Sequence, residues 1–600
     1  MTRHLKTTSI LILAILLLFI NYSCTSDPKP SDETPDLVSS VEFKNKDNTV
    51  NIRLPAEPDR LNPVLTTNSY SRYIYSNIFL ELLSYNPVSL KEEPVLVKAK
   101  PIANIITDDE GNEGVAYTYE LLDNARWSDG QPLTATDVIF TYKAIFNVNV
   151  AEAAIFRAAL AFISDIVADP ANDKKFTVYT NEVYILAEAS INSTAILPAH
   201  IFDPENLMAD IPLADMIKDG EKVGNQEKMK AFAELFTSPP YSRDGDKLIG
   251  TGAYKVDKWD AGQSITMSKI DNWWAADGSS NLVAYPDQFV FKIIPDNTTA
   301  INALKGELID ISAQVDAGDF TELKSNEFMK SHYNFYTPDT YSYYYIAMNN
   351  GDPKLSDKRV RRALTHLTDI DFLINEQFNG LATPLNNTPV HPSKSYFDKD
   401  LKPIEYNVEK AKALLAEAGW KDSNANGIVD KEIDGKRVEL ELEYLVTPGS
   451  KFGNAMANLL KDNSAEAGIK INIIPMEMRA LLGERVAQRK YDLFGLGAIS
   501  EPVPDDFNQL WHTSSNNPRG TNRVQFGNAE TDALIEKINR TLDENERAVL
   551  YKKFQEIIYD EQPMVFLFVP QERIIVSKRF EMTPTSLRPG FKPNRFKLLQ

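Results

Sequence analysis

One cysteine, Cys24, stands among 600 residues, so no disulfide can close within the chain and no thiolate cage can hold a metal. Histidines are few: His4, His200, His332, His366, His391 and His512. None has H-E-x-x-H or H-x-H spacing, the usual mark of a catalytic zinc. No glycine-rich phosphate loop and no G-x-S-x-G elbow occurs. Ser26-Asp27-Pro28-Lys29 has S-x-x-K spacing, but its polar neighbourhood offers nothing to hold an activated serine. Basic charge is also short, with 64 Lys and Arg against 84 Asp and Glu and a net charge of −20. Nucleic-acid phosphates and anionic lipid surfaces both require a basic face, so neither is an expected partner. An acidic balance suits a soluble secreted protein.

Long hydrophobic runs are equally scarce. Ile10–Ile20 follows Arg3 and Lys6 and is shorter than the about 20 residues a membrane span needs. It reads as the core of an export signal over residues 1–23. Asn21-Tyr22-Ser23-Cys24 follows and resembles a bacterial lipobox, with Asn21 where leucine is usual. The resemblance implies cleavage before Cys24 and its acylation, each buried acyl CH₂ contributing about 0.8 kcal/mol to anchoring. Residues 24–41 are polar and suit a flexible tether.

Beyond the tether there is material for large cores: 43% of the chain is hydrophobic and 10% aromatic. The length predicts three or more domain-sized units. Val50–Leu54 alternates like a strand. Thr134 with Asp137 predicts a capped helix start, as does Asp543 with Glu546, whose helix ends at Pro563. Ser356 is the expected cap of a helix through Leu367, and Asn407 of one stopped by Gly419. Phe289–Ile294, Glu439–Leu445, Ile469–Ile474 and Val565–Val569 read as strands. Mixed helices and strands predict an α/β chain.

Six segments, in order, carry a resemblance. They are Glu57-Pro58-Asp59-Arg60-Leu61-Asn62-Pro63; Trp127-Ser128-Asp129-Gly130-Gln131-Pro132-Leu133-Thr134-Ala135 to Val138; Gly250-Thr251-Gly252-Ala253-Tyr254 with Trp259; Leu304-Lys305-Gly306-Glu307-Leu308-Ile309-Asp310; Val360-Arg361-Arg362-Ala363-Leu364; and Ala411–Trp420 with Asp543–Pro563. Together they resemble family 5 of the ABC-importer solute-binding proteins, the oligopeptide, dipeptide and nickel receptors. The resemblance implies a periplasmic-binding-protein type II-like α/β fold, with two hinged lobes and an extra domain. Domain I would combine 42–84, 246–335 and 560–600; domain II would be the insert 85–245; domain III would be 336–559. It implies a monomeric, non-enzymatic receptor in the cell envelope, periplasm or outer surface. The receptor would be lipid-anchored to the membrane, need no cofactor and serve ABC permease and ATPase subunits. The expected cargo is an oligopeptide. A receptor for an oligosaccharide or metal chelate, or a non-transport envelope chaperone or regulatory protein, are the alternatives.

Trp127-Ser128-Asp129-Gly130 reads as a strand end entering a turn, and Gly250-Thr251-Gly252 as a close backbone crossover. A peptide ligand needs backbone partners, and its ammonium needs a carboxylate. Many family members place an Asp after a glycine-rich strand; here Gly495-Leu496-Gly497-Ala498-Ile499 runs into Ser500 and Glu501. Glu501 is the candidate ammonium partner, and Arg519 the candidate for a ligand carboxylate. Asn68, Ser69 and Tyr70 follow the opening motif and are candidate contacts. Tyr343, Tyr345 and Asn349 belong to a tyrosine-rich strand near the expected hinge, where core packing is the competing role. Asp422, Asn424, Asn426 and Asp430 alternate like part of a calcium loop, but position twelve is Ile433, which favours a structural turn.

Overall fold

The computed structural model describes residues 42–276 and 282–599. Cys24, the export signal and the tether through residue 41 lie outside the described residues. From Phe43 onward the chain is one compact unit.

The chain opens with β1 (Thr49–Leu54), an alternating strand with its last five residues buried, and α1 (Ser69–Tyr75). A block of β2 (Ile102–Thr107), β3 (Glu113–Glu120), α2 (Ala135–Phe146), β4 (Ile163–Asp169) and β5 (Asn172–Thr180) follows. Next come β6 (Tyr254–Asp260), β7 (Ser264–Lys269), β8 (Gln288–Ile293), β9 (Ile311–Ser312) and β10 (Tyr333–Tyr336). The third block holds β11 (Ser342–Met348), α3 (Lys358–His366), α4 (Val408–Glu417), β12 (Glu441–Val446), β13 (Lys470–Pro475), β14 (Leu493–Ile499), α5 (Glu544–Glu561) and β15 (Met564–Phe566). The last strand described here, β16 (Ile574–Ser577), returns to the first sheet.

Among the described residues these strands make three larger sheets. A seven-stranded sheet runs β10-β16-β9-β1-β8-β7-β6, with β1 parallel to β8 and β9. A five-stranded sheet runs β13-β12-β14-β11-β15, and a four-stranded antiparallel sheet runs β2-β3-β5-β4. This mixed α/β architecture agrees with the expected fold class.

Helix starts follow the capping chemistry. Thr134 and Asp137 form a reciprocal box at α2, Asn407 caps α4, and Asp543 caps α5 by accepting from Asn545 N and Glu546 N. At α3 the cap is Asp357 rather than the expected Ser356: its carboxylate accepts from Arg359 N at 2.9 Å, while Ser356 Oγ donates to Pro353 O. Ionised Asp outcompetes the neighbouring hydroxyl because its charge complements the helix N-terminus. Trp127-Ser128-Asp129-Gly130 does form a turn, with Gly130 at φ 89° and Gly130 N donating to Trp127 O at 2.9 Å.

Gly250 and Gly252 pass against the 77–78 backbone. Gly252 N donates to Ile78 O at 2.7 Å, and a Cβ on Gly250 would lie 1.9 Å from that same oxygen. No side chain fits there, which is the physical reason for two glycines in three residues.

Candidate functional site

Among the described residues, the chain passes between the seven-stranded and five-stranded sheets twice, from β10 to β11 and from β15 to β16. The two crossings are bonded to each other. Thr340 N donates to Pro570 O at 3.0 Å, Glu572 N to Pro338 O at 2.8 Å, and Gln571 Nε2 to Asp339 Oδ1 at 3.1 Å. His391 buttresses this pair: it stacks on Tyr341 at 4.6 Å, and its Nε2 lies 2.9 Å from Thr340 O. Two adjacent, mutually bonded crossings make a narrow joint between two larger bodies, the geometry of a hinge.

Next to the joint, β11 and β14 are antiparallel with Ser342 opposite Ile499, so Tyr341, Ser500 and Glu501 share one end of the sheet. Ser500 N donates to Tyr341 O at 2.9 Å. Glu501 is exposed and, among the described residues, has no hydrogen-bond or ion-pair partner. Asp505, four residues on, is occupied: the Lys394 ammonium pairs with one carboxylate oxygen and Tyr396 OH donates to the other at 3.0 Å.

The charges around Glu501 come from the other side of the joint. Arg72, on α1, lies 3.6 Å from Glu81. Glu81 is the main cause that raises the Arg72 pKa, with a smaller contribution from Glu501. Burial pushes the Glu81 carboxyl up against the opposing pull of Arg72 and Lys592, and burial pushes the Lys592 ammonium down. Tyr85 is raised by burial, with smaller contributions from Glu92, Glu501 and Tyr341. The Arg72 side chain is 55% exposed and that of Glu81 19%.

The structure separates the sequence candidates. Tyr343 is buried with its ring 6.2 Å from Phe566, in core packing, and Tyr345 is partly buried beside it. Asn349 sits at the opposite end of β11, seven residues and about 20 Å from the Glu501 end. Its amide donates to Tyr491 O at 2.9 Å and Arg489 O at 3.2 Å. Arg519 is exposed in the loop whose Asn516 and Asn517 bond Arg489, so it belongs to the Asn349 end. Asn68 caps α1, accepting from Tyr70 N at 2.8 Å; Ser69 is exposed; Tyr70 OH donates to Gln314 at 3.4 Å.

The 422–430 segment folds as a turn. Asp422 accepts from Asn426 N and Gly427 N, Asn424 from Asn426 N, and Asn426 from Ile428 N. Asp430 is taken by Ser423 and Arg437. Among the described residues no group of three or more His, Cys, Asp or Glu side chains comes together as a metal site.

Sequence reasoning missed Arg72, Glu81, Tyr85 and Lys592. One signal was available: Glu81 interrupts the apolar run Ile78-Phe79-Leu80-Glu81-Leu82-Leu83, where an acid is costly without a purpose.

A sequence model of the bacterial extracellular solute-binding proteins, family 5 middle, matches residues 100–521. The oligopeptide-binding protein AppA of Bacillus subtilis is 26% identical over 582 residues, covering 96% of both chains. Its structure in complex with a nonapeptide superposes with a TM-score of 0.62 at 24% identity, covering 92% of this chain and 99% of that one. Heme-binding protein A of Haemophilus influenzae is 23% identical over 587 residues, covering 94% of this chain and 93% of that one. NikZ from Campylobacter jejuni, in complex with Ni(L-His), shares the fold at 20% identity and a TM-score of 0.62, covering 92% of this chain and 99% of that one.

Proposed function

The chain belongs to the bacterial extracellular solute-binding proteins of family 5, and from that premise we propose that it captures oligopeptides for an ABC importer. The family is non-enzymatic. One observation carries the peptide reading: Glu501, exposed and without a partner among the described residues, ends the strand beside the joint and acts electrostatically on Arg72, which pairs with Glu81. In this reading Glu501 receives the ligand ammonium, with the Ser500 hydroxyl beside it. The bodies bearing the two larger sheets act as lobes that close by bending at the 337–341 and 567–573 crossings, because ligand touches both only when they are closed. With the bend placed there, one lobe would hold residues 42–84, 246–335 and the segment after the 567–573 crossing, the other would hold 336–566, and the insert would be 85–245; the boundary expected at 560 moves to the crossing because Met564–Phe566 pairs with β11. Asn68, Asn349 and Arg519 are left out of the contact set, since their polar groups are committed elsewhere or lie at the wrong end of β11.

Acylation of Cys24 would hold the receptor at the membrane, with residues 24–41 as tether. A metal-chelate or haem receptor is the second reading, favoured by the relatives named for those ligands at similar identity. Fluorescence titration with peptides bearing free or acetylated N-termini tests the ammonium assignment. Acetylation weakens binding if Glu501 takes the ammonium, and leaves it unchanged if it does not.

A further inference from the structure

The end of the chain is basic in an otherwise acidic protein. From Met582 to Gln600 there is no Asp or Glu, while the whole carries a net charge of −20. Three cations come close together in Arg588-Pro589-Gly590-Phe591-Lys592-Pro593-Asn594-Arg595.

This loop is fixed at both ends, and its first end lies beside the joint. Thr585 N donates to Gly590 O at 3.0 Å and Gly590 N to Leu587 O at 2.7 Å, which closes the turn that carries Arg588. Gly590, at φ 96°, packs against the chain leaving the second crossing: a Cβ there would stand 2.5 Å from Ile574 Cδ1 and 3.3 Å from Glu572 Cγ. At the far end, Tyr285 N donates to Asn594 O at 3.0 Å and Asn594 Nδ2 to Val283 O at 2.8 Å. Between these anchors Pro589, Phe591 and Pro593 line a groove together with Tyr70 and Tyr73 of α1 and Gln314.

The three cations are free where their neighbours are not. Arg53, which also lines the groove, donates to Ile294 O at 3.0 Å and Asn297 Oδ1 at 2.7 Å, and Arg573 donates to Gln571 O at 3.0 Å. The side chains of Arg588, Lys592 and Arg595 make no hydrogen bond and no ion pair among the described residues. Nearby acids are already committed. Glu572 is buried and accepts from Gln314 N at 3.1 Å and Arg573 N at 3.0 Å, and Glu81 pairs with Arg72 at 3.6 Å. Burial lowers the Lys592 pKa; Glu81 opposes this, and Arg72 and Arg595 push it lower still. An ammonium drawn partly out of water beside two guanidiniums lacks an anion. Arg588 in turn acts on Tyr73, in the groove wall, and on Glu572.

We propose that Arg588, Lys592 and Arg595 form a subsite for a ligand carboxylate beside this groove. Guanidinium and ammonium groups hold a carboxylate by charge-assisted hydrogen bonds, and Tyr70 and Tyr73 give the adjoining part of the ligand an aromatic wall. The subsite takes the role expected of Arg519, which belongs to the Asn349 end of β11. It deepens the receptor reading above and rests on it; the carboxylate is supplied by a peptide C-terminus or by an acidic side chain.

The test is calorimetric titration, at low ionic strength, of the chain from Thr25 onward with pools of mixed-sequence pentapeptides. The pools are free or amidated at the C-terminus, and each is made with Asp and Glu or with Asn and Gln in their place. If the C-terminus is the source, amidation should weaken binding about tenfold. If side chains are the source, exchanging acids for amides should do so instead. Either difference should shrink in Arg588→Gln and in Lys592→Met. Arg588 is exposed and unpartnered among the described residues, so Arg588→Gln should keep the parent's thermal midpoint, and the test stands even if Lys592→Met fails to fold. Peptides that bind with no preference for a carboxylate, or a preference that neither variant reduces, would overturn the subsite and leave peptide capture standing. If no peptide binds, peptide capture fails and citrate replaces the pools. Saturable citrate binding that both variants weaken keeps the subsite; no binding, or binding that the variants retain, overturns it.

Discussion

Lys394 holds Asp505. The ammonium is 3% exposed and pairs with one carboxylate oxygen, also donating to Val503 O at 3.0 Å, while Tyr396 OH takes the other carboxylate oxygen at 3.0 Å. This ties the segment after β14 to the 391–397 loop and leaves Glu501 as the carboxylate free to meet ligand. Lys394→Met strands a buried charge, and the expected loss is about 3–5 kcal/mol of stability, read as a lower denaturation midpoint. Unchanged stability would mean that the pair does not hold the loop.

Glu501→Ala should do the reverse. With no partner among the described residues, its removal should leave the thermal midpoint in place. It should weaken binding of peptides with free N-termini about tenfold, or about 1.4 kcal/mol. A titration in which the variant binds as well as the parent would remove Glu501 from the site.

Gly250→Ala should be among the most damaging single-methyl changes in the chain. The new Cβ would sit 1.9 Å from Ile78 O, and neither backbone can yield without breaking the Gly252 N–Ile78 O bond. The expected cost is about 3 kcal/mol or more, checked by urea denaturation. A loss below about 1 kcal/mol would show that the crossover has slack.

Glycine spacing, helix caps and the motif set were legible in the sequence because each is a local rule. Thr134, Asn407 and Asp543 could be assigned from the residues that follow them. Less legible were breaks inside strand-like runs. Glu439–Leu445 reads as one strand but divides at Leu440 between a hairpin ending at Glu439 and β12, and Val565–Val569 divides at Leu567. Composition cannot show such breaks, since Leu440 and Leu567 are themselves residues that suit a strand. The candidate site was half legible. Ser500 and Glu501 follow from the glycine-rich strand, but Arg72, Glu81 and Lys592 are brought opposite them only by tertiary packing. Asn349 was misleading because a polar residue at a strand end satisfies buried carbonyls as readily as a ligand.

His391 should make the joint sensitive to acid. Burial lowers its pKa, against smaller opposing effects from Thr340 O, Asp339 and Asp505, and Lys394 lowers it further. A histidine depressed in the folded state takes up protons preferentially on unfolding. Its contribution is therefore complete above about pH 6.5, its unfolded value, and declines as pH falls toward the folded value, by up to about 1.4 kcal/mol per pH unit. The raised carboxyls of Glu81 and Glu572 act in the opposite direction. The useful quantity is the difference between parent and His391→Gln, and the variant should lose stability less steeply on acidification. Parallel curves would show that His391 does not titrate with folding.

Calcium should leave the chain unmoved. The Asp422, Asn424 and Asn426 oxygens accept from backbone amides, and Arg437 holds Asp430. Thermal midpoints with calcium and with chelator should coincide. A bound ion at a hundredfold its dissociation constant would add about 2.7 kcal/mol and would contradict the turn assignment.

The most direct measurement of the central claim is native mass spectrometry of the chain purified from Thr25 onward, followed by denaturation and identification of whatever is released. Capture of oligopeptides predicts a spread of short peptides of mixed sequence leaving a single binding stoichiometry. Release of one haem or metal chelate, or a chain that carries nothing and shows no thermal shift with a peptide library, would contradict it.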